Sequence, residues 1–303
     1  LPLGIELVGR YLERKLDLSL AKMRERLENK SLKSLALRKP DEDMTAPVGV
    51  SAAFELSWEE LSVQAQDVAY LLSFFALSPI SWSLVEACWL NEDDEVLEEV
   101  RDDSLLSLNL IQRKGEGIYQ LHQLTREFLQ GKQLDLDNSQ KLRKNFCSSI
   151  SKAASKIPES LSLDLVAELE SLIPHLIELV STLPDDIDNG DIPTPFIGLG
   201  RFYEGQGLYE QSQKWYQAGL AETDTRFDAN HAKTSLCLSS LGNIYKSRGQ
   251  YDNAEPLLIR ALRIRQTLFN SDHSALANSL NDLGLLYEDQ GRYEDAEPLC
   301  QQA

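Results

Sequence analysis

Three things are scarce in this sequence, and each scarcity closes off a class of function. Long apolar runs are missing: 42% of residues are hydrophobic, yet no stretch approaches the roughly 18–20 residues that span a bilayer. No membrane segment is expected. Cysteine is sparse, and Cys88, Cys147, Cys237 and Cys300 lie far apart with no Cys-x-x-Cys pair. That spacing offers neither a zinc site nor a disulfide framework, and it fits four free core thiols in a reducing cytoplasm. Positive charge is also short, since 30 Lys and Arg against 48 Asp and Glu leave a net charge of −18. This is the wrong sign for a chain that coats phosphates. The balance is uneven, however: residues 1–39 hold ten Lys or Arg against five Asp or Glu. A solvated helix face is the plainest reading of that stretch, and contact with an anionic ligand or an acidic neighbouring domain is the alternative.

Catalytic sets are lacking too. No Gly-x-x-x-x-Gly-Lys-Ser/Thr loop is present to cradle a triphosphate. No Ser/His/Asp or Cys/His constellation has local support. "NEDDEVLEEVRDD", 91–103, is one dense acidic run across a helix start, which suits the helix dipole better than it suits an isolated carboxyl pair facing a cleft. His175, in "IPHLIEL", reads as a helix residue with a satisfied ring nitrogen. His231 and His273 are 42 residues apart and read as two copies of one loop position rather than metal ligands. Catalysis by this chain alone is not expected.

What is present is helical periodicity, in four regions. Residues 4–37 place Ile5, Val8, Leu12, Leu16, Leu20, Met23 and Leu27 at helical spacing. "RKPDEDMTAP", 38–47, is a charged linker with two prolines. From Val48 to about Gly131 the pattern runs helix, helix, turn, helix, helix, hairpin. Within it 65–77, "AQDVAYLLSFFAL", is too uniformly apolar to be exposed, and Ser81 is placed to cap the short helix "WSLVEACW". A helix over about 94–107 leads to "LIQRKGEGIYQL", where Gly115 and Gly117 divide two short alternating runs. Helices followed by such a hairpin give the order of a winged-helix domain. Base readout by it is disfavoured, because "SWSLVEACWL" has no basic residue and carries Glu86, and the wing adds only Arg113 and Lys114. Residues 132–184 form a helical connector with Leu165, Leu169, Leu172, Leu176 and Leu179 on one face, and "PDDIDNGDIPTP" closes it.

The last region repeats itself. Gly200, Gly242 and Gly284 are 42 residues apart, as are Tyr203, Tyr245 and Tyr287; Gly207, Gly249 and Gly291; and Tyr209, Tyr251 and Tyr293. Ala254 and Ala296 keep the same offset, with Ser212 in the first copy. Each unit reads as two antiparallel helices: the first glycine and the alanine allow close approach, and the Gly-x-Tyr step turns the chain. Stacked units share one core and leave an extended concave surface. Leu238, Leu241, Tyr245, Leu258 and Leu262 are expected in that core.

Two resemblances follow from these motifs. "LPLGIELVGRYL" resembles the Gly-Leu-Pro-Leu helix of NB-ARC domains, the nucleotide switches of STAND signalling ATPases, and "YQLHQL" stands where that family carries its Met-His-Asp motif. The repeats resemble tetratricopeptide repeats of the 42-residue variety found in kinesin light chains. The first resemblance implies that Pro2 packs near a nucleotide base and that His122 contacts the ADP phosphate, holding the winged helix closed. Leu121 replaces the motif methionine and keeps an apolar anchor; Gln123 replaces the aspartate and removes a charge, which bears on how firmly the resting state is held. Gly4 replaces the more usual alanine. The second resemblance implies protein or peptide binding on the concave face, through Arg201, Asn243, Lys246, Asn278, Asn281 and Glu288.

The expectation is therefore a mainly α chain: the end of an NB-ARC helical subdomain (1–40), a winged helix with a small β-hairpin (41–131), a helical connector (132–195) and a tetratricopeptide solenoid (196–303, units near 193–234, 235–276 and 277–303). It reads as a piece of a longer, nucleotide-switched STAND regulator whose repeats bind a protein partner. No cofactor is expected in this stretch. ADP or ATP with magnesium would be held by an upstream nucleotide-binding domain, and the intact protein would be at most a slow ATPase, open to ligand-dependent oligomerisation. The alternatives are a nucleotide-independent repeat adaptor and, behind it, a winged-helix DNA-binding regulator.

Overall fold

The computed structural model describes residues 2–15, 17–37, 48–89, 94–132, 136–228, 230–269 and 273–303. The charged linker expected at 38–47 lies outside them. Two compact units result, Leu1–Ser149 and Ile150–Ala303. No helix among the described residues is long and apolar enough to cross a membrane.

In the first unit α1 (Pro2–Arg14) and α2 (Leu20–Leu37) pack with α3 (Val48–Glu59) around Tyr11, Met23 and Leu56. The buried stripe of α1 is Leu3, Leu7 and Tyr11, whereas Ile5 stands 68% exposed. The inward face is thus rotated from the Ile5-Val8-Leu12 line that the spacing indicated. Val8 and Leu12 only flank the seam, because the larger Tyr11 fills its centre. Next, α4 (Val63–Leu72) begins at Ser62, whose hydroxyl accepts the Ala65 amide at 3.2 Å, and it buries Val68 through Leu72.

Strand β1 (Ile80–Ser81) leads into α5 (Trp82–Cys88), and α6 (Asp94–Glu99) continues as a π-helix over Val100–Leu106. Ser81 does occupy the N-cap position of α5 but caps nothing; its hydroxyl pairs with that of Ser83 at 2.8 Å. The single helix expected over 94–107 is therefore half π. A five-residue step separates the buried Val100 and Leu105, and five residues is the hydrogen-bond step of a π-helix. Strands β2 (Ile111–Gly115) and β3 (Ile118–Leu121) form an antiparallel hairpin with an irregularity between Arg113 and Gly115, and β1 joins the far side of β3, giving the order β1-β3-β2. Gly117 supplies the turn at φ +63°. Asp102 grips the Arg101 guanidinium at 2.7 and 2.9 Å. That guanidinium lies 5.5 Å from the Trp82 ring and 5.8 Å from Tyr119, tying π-helix, α5 and sheet together. Helix α7 (Gln123–Gln130) stacks Phe128 on Phe54 of α3 at 5.0 Å, and α8 (Leu136–Ser155) sets Phe146 5.0 Å from Phe75.

In the second unit the leucine face expected over 165–179 is broken in two. Helices α9 (Leu163–Leu169) and α10 (Ile173–Thr182) are separate: Leu172, Leu176 and Leu179 are buried, while Leu165 and Leu169 are only half-buried. Pro174, in the first turn of α10, has no amide hydrogen with which to continue α9. After a single 3-10 turn at Pro184–Asp186 come α11 (Pro193–Gly205), α12 (Tyr209–Arg226), α13 (Ala232–Ser247), α14 (Tyr251–Leu268), α15 (Ser274–Asp289) and α16 (Tyr293–Gln302).

These six helices make three hairpins. Gly207, Gly249 and Gly291 turn each one at φ +72°, +69° and +75°, a conformation that costs a residue with a Cβ. A Cβ at Gly200 would overlap the Tyr216 ring, and at Gly242 it would lie 2.7 Å from Leu258. Ser212, Ala254 and Ala296 are all buried at the facing position. Leu238, Leu241, Leu258 and Leu262 lie in the core, with Tyr245 half-buried against them. Of the four thiols Cys88, Cys147 and Cys237 are buried, but Cys300 is exposed rather than in a core. It sits on α16, which packs mainly against α15.

Candidate functional site

Helices α11, α13 and α15 are spatial neighbours in series, so the 42-residue register places equivalent side chains in columns across one face. Arg201 and Asn243 share a column with Leu285, and Lys246 and Glu288 share one with Glu204. The structure does not leave the six expected binding residues equally available. Arg201 is half-buried and engaged, donating to the Ile157 carbonyl at 3.2 Å and to Glu159 at 2.8 Å. Asn243 donates to Asp282 at 3.1 Å, reaching across from α13 to α15, while its Oδ1 is out of contact with solvent and has no hydrogen-bond partner. Lys246 is half-buried; Asn278, Asn281 and Glu288 are exposed.

Four residues of this face were missed: Glu204, Asp282, Leu236 and Leu285. The register itself could have found Glu204, Leu285 and Leu236, since each falls in a column that a named residue already assigns to this face. Asp282 could not be found that way, because its equivalents are Gly198 and Ser240. Its carboxyl is pushed above the ordinary range, chiefly by burial, with Glu159 adding to the rise; the Asn243 bond and the charges of Lys246 and Arg265 only partly oppose it. Glu204 is pushed up in the same way, first by burial and further by Glu159, against the pull of a 2.8 Å bond from the Tyr216 hydroxyl and of Arg201. Behind the face lies Arg265, 4% exposed, donating to the Ser235 hydroxyl at 3.1 Å, the Ala275 carbonyl at 3.1 Å and the Ser279 hydroxyl at 2.6 Å.

In the first unit His122 follows β3 at once and forms the N-cap of α7, with φ −76° and ψ 147°. Its Nδ1 accepts the Leu124 amide at 3.1 Å, and its carbonyl accepts the Arg126 amide at 3.0 Å. An imidazole that accepts at Nδ1 carries its proton on Nε2, and here the side chain is exposed. The corner therefore offers a donor to solvent. Pro2 opens α1, and its side chain lies outside the described residues.

His231 and His273 repeat the same device. Each caps a helix through Nδ1, to Lys233 and Ala275 at 3.1 Å, and each stacks on the phenylalanine four residues earlier, at 4.1 and 4.0 Å. Their shared spacing thus records a structural role. His175 is wholly buried. Among the described residues no group of three or more His, Cys, Asp or Glu could hold a metal ion.

Residues 191–266 and 238–303 match the family model of the tetratricopeptide repeat, so the C-terminal region carries such repeats, the fold of protein-interaction scaffolds. No curated protein matches the chain. Solved structures similar to it include BtubC from P. vanneervenii, at 16% identity over 91% of this chain and 86% of that one, with a TM-score of 0.43. Another is the STAND protein with a tetratricopeptide repeat sensor from Pyrococcus horikoshii, at 15% identity over 99% of this chain and 52% of that one, with a TM-score of 0.34. Likenesses this distant bear on neither activity nor partner.

Proposed function

We propose that the face shared by α11, α13 and α15 is a docking groove for an extended protein or peptide segment. One observation carries this reading. The exposed amides of Asn278 and Asn281 stand on α15, the helix that Asn243 of α13 reaches through its 3.1 Å bond to Asp282. Amide side chains are matched to a peptide backbone, since each offers both a donor and an acceptor. Selection from a random-peptide display library against the full chain tests the reading. Binders are expected, and the double variant Asn243→Ala, Asn281→Ala weakens them by about tenfold or more. Binders that ignore the double variant would place the site elsewhere.

The groove is proposed to serve as the sensing arm of an ADP/ATP-switched regulator of STAND type, with magnesium and nucleotide held by a domain encoded upstream. Support comes from the first unit, where helices, β1, further helices and the β2–β3 hairpin follow in the order that a winged-helix reading requires. It comes also from His122, whose Nε2 proton is free to meet a phosphate oxygen. A bound partner would then shift the population between closed and open states by preferring one of them. In the protein including its nucleotide domain, His122→Ala is expected to speed ADP release by about tenfold, the worth of one hydrogen bond to a charged group. Unchanged release would leave a nucleotide-independent adaptor as the function.

A further inference from the structure

Resting on the docking reading above, we infer that the segment held in the groove carries a lysine or arginine side chain flanked by apolar residues. Two of the three cations at this face are already engaged. Arg201 is engaged by Ile157 and Glu159, and Arg265 is buried behind the face among serine hydroxyls and backbone carbonyls. Lys246 is then the one cation of the face with no close partner among the described contacts, and its charge reaches Asp282.

Against it stand the half-buried carboxylates of Glu204 and Asp282. Glu159 is paired with Arg201 at 2.8 Å and its side chain is 83% exposed, so it adds little to them. Asn243 holds Asp282 through its amide nitrogen at 3.1 Å, fixing that carboxylate at the face. An ammonium or guanidinium group supplies what this arrangement lacks, namely several hydrogen-bond donors and a positive charge. An acidic segment would bring another anion to these half-buried carboxylates, and like charges at close range oppose binding.

Apolar partners for the rest of the segment are present on the same helices. Leu236 of α13 is 44% exposed and Leu285 of α15 is 38% exposed. Each occupies a register column that Asn278, or Arg201 and Asn243, assigns to this face. A lysine or arginine stem can lie along such leucines while its head reaches the carboxylates.

The library selection above supplies the experiment, with sequencing of the binders and fluorescence anisotropy on one synthetic binder. Enrichment of Lys or Arg beside Leu, Ile, Val or Phe is expected. The double variant Glu204→Gln, Asp282→Asn is expected to weaken that binder about tenfold or more. Both replacements keep an acceptor for Tyr216 and Asn243, so the variant stays folded, which its circular dichroism melt verifies. Binders that are acidic or uncharged, or that bind wild type and double variant equally, would overturn the inference while leaving the groove in place. Failure to select any binder sensitive to Asn243→Ala would overturn the groove together with it.

Discussion

Single side chains in the groove are held at some cost. Asp282 and Glu204 both sit where burial outweighs every favourable charge, so their folded carboxyls titrate above the ordinary range. For an acid raised in this way, stability is fully present when pH lies below the unfolded value and is lost as pH rises through the folded one. Asp282→Asn is accordingly expected to melt no lower than wild type at neutral pH, and the difference should vanish below roughly pH 4, where the unfolded carboxyl also protonates. Thermal melts across that range check the sign. A variant that melts lower at neutral pH would show that Lys246 and Arg265 dominate instead. Cys88 and Cys237 show the opposite use of burial: it pushes both thiols up to about 12, so they act as small apolar residues.

At the scale of elements, hairpins and turns were legible because glycine announces them. Gly117 and the three repeat glycines all adopt positive φ, and each stood between apolar runs in the sequence. The close-approach glycines can be tested directly. Gly200→Ala would drive a methyl group into the ring of Tyr216, and since a ring yields less readily than an alkyl tip, a loss of about 1–3 kcal/mol is expected. Urea denaturation measures it, and an unchanged midpoint would mean that α11 and α12 can part without cost. Other features of the elements were hidden. The Ser81 cap looked right by position, yet the hydroxyl found Ser83 rather than a helix amide. Histidine as an N-cap at residues 122, 231 and 273 is invisible to a search for Ser, Thr, Asp or Asn, although the device meets the same need of an orphan amide. The inward face of α1 lies beside the one its spacing indicates, because several apolar residues on one short helix permit more than one inward face.

In the whole molecule, the second unit is stabilised as an array in which each hairpin lies against the next. Arg265 joins that array most directly, since its guanidinium on α14 bonds Ser235 of α13 and both Ala275 and Ser279 of α15. Burial lowers the pKa of this arginine, and the charge of Asp282 only partly opposes it. Removing it should still be harmful, because Arg265→Ala strands several buried acceptors. A loss of about 2–3 kcal/mol is expected, with the last two hairpins losing amide-exchange protection first. Protection lost evenly over the unit would mean that the three hairpins unfold as one.

Periodicity alone settled the helical class, the three stacked hairpins and the turn residues. Those features depend on spacing along the chain and on glycine's lack of a side chain, both of which are written locally. The β1-β3-β2 sheet, the break before Pro174, the exposure of Cys300 and the character of the groove were decided only by tertiary packing. Residues as distant as Asn243 and Asp282 meet, at 3.1 Å, only after the helices stack. Whether a carboxylate keeps its water, and whether an amide oxygen keeps a donor, depends on neighbours that no local pattern names.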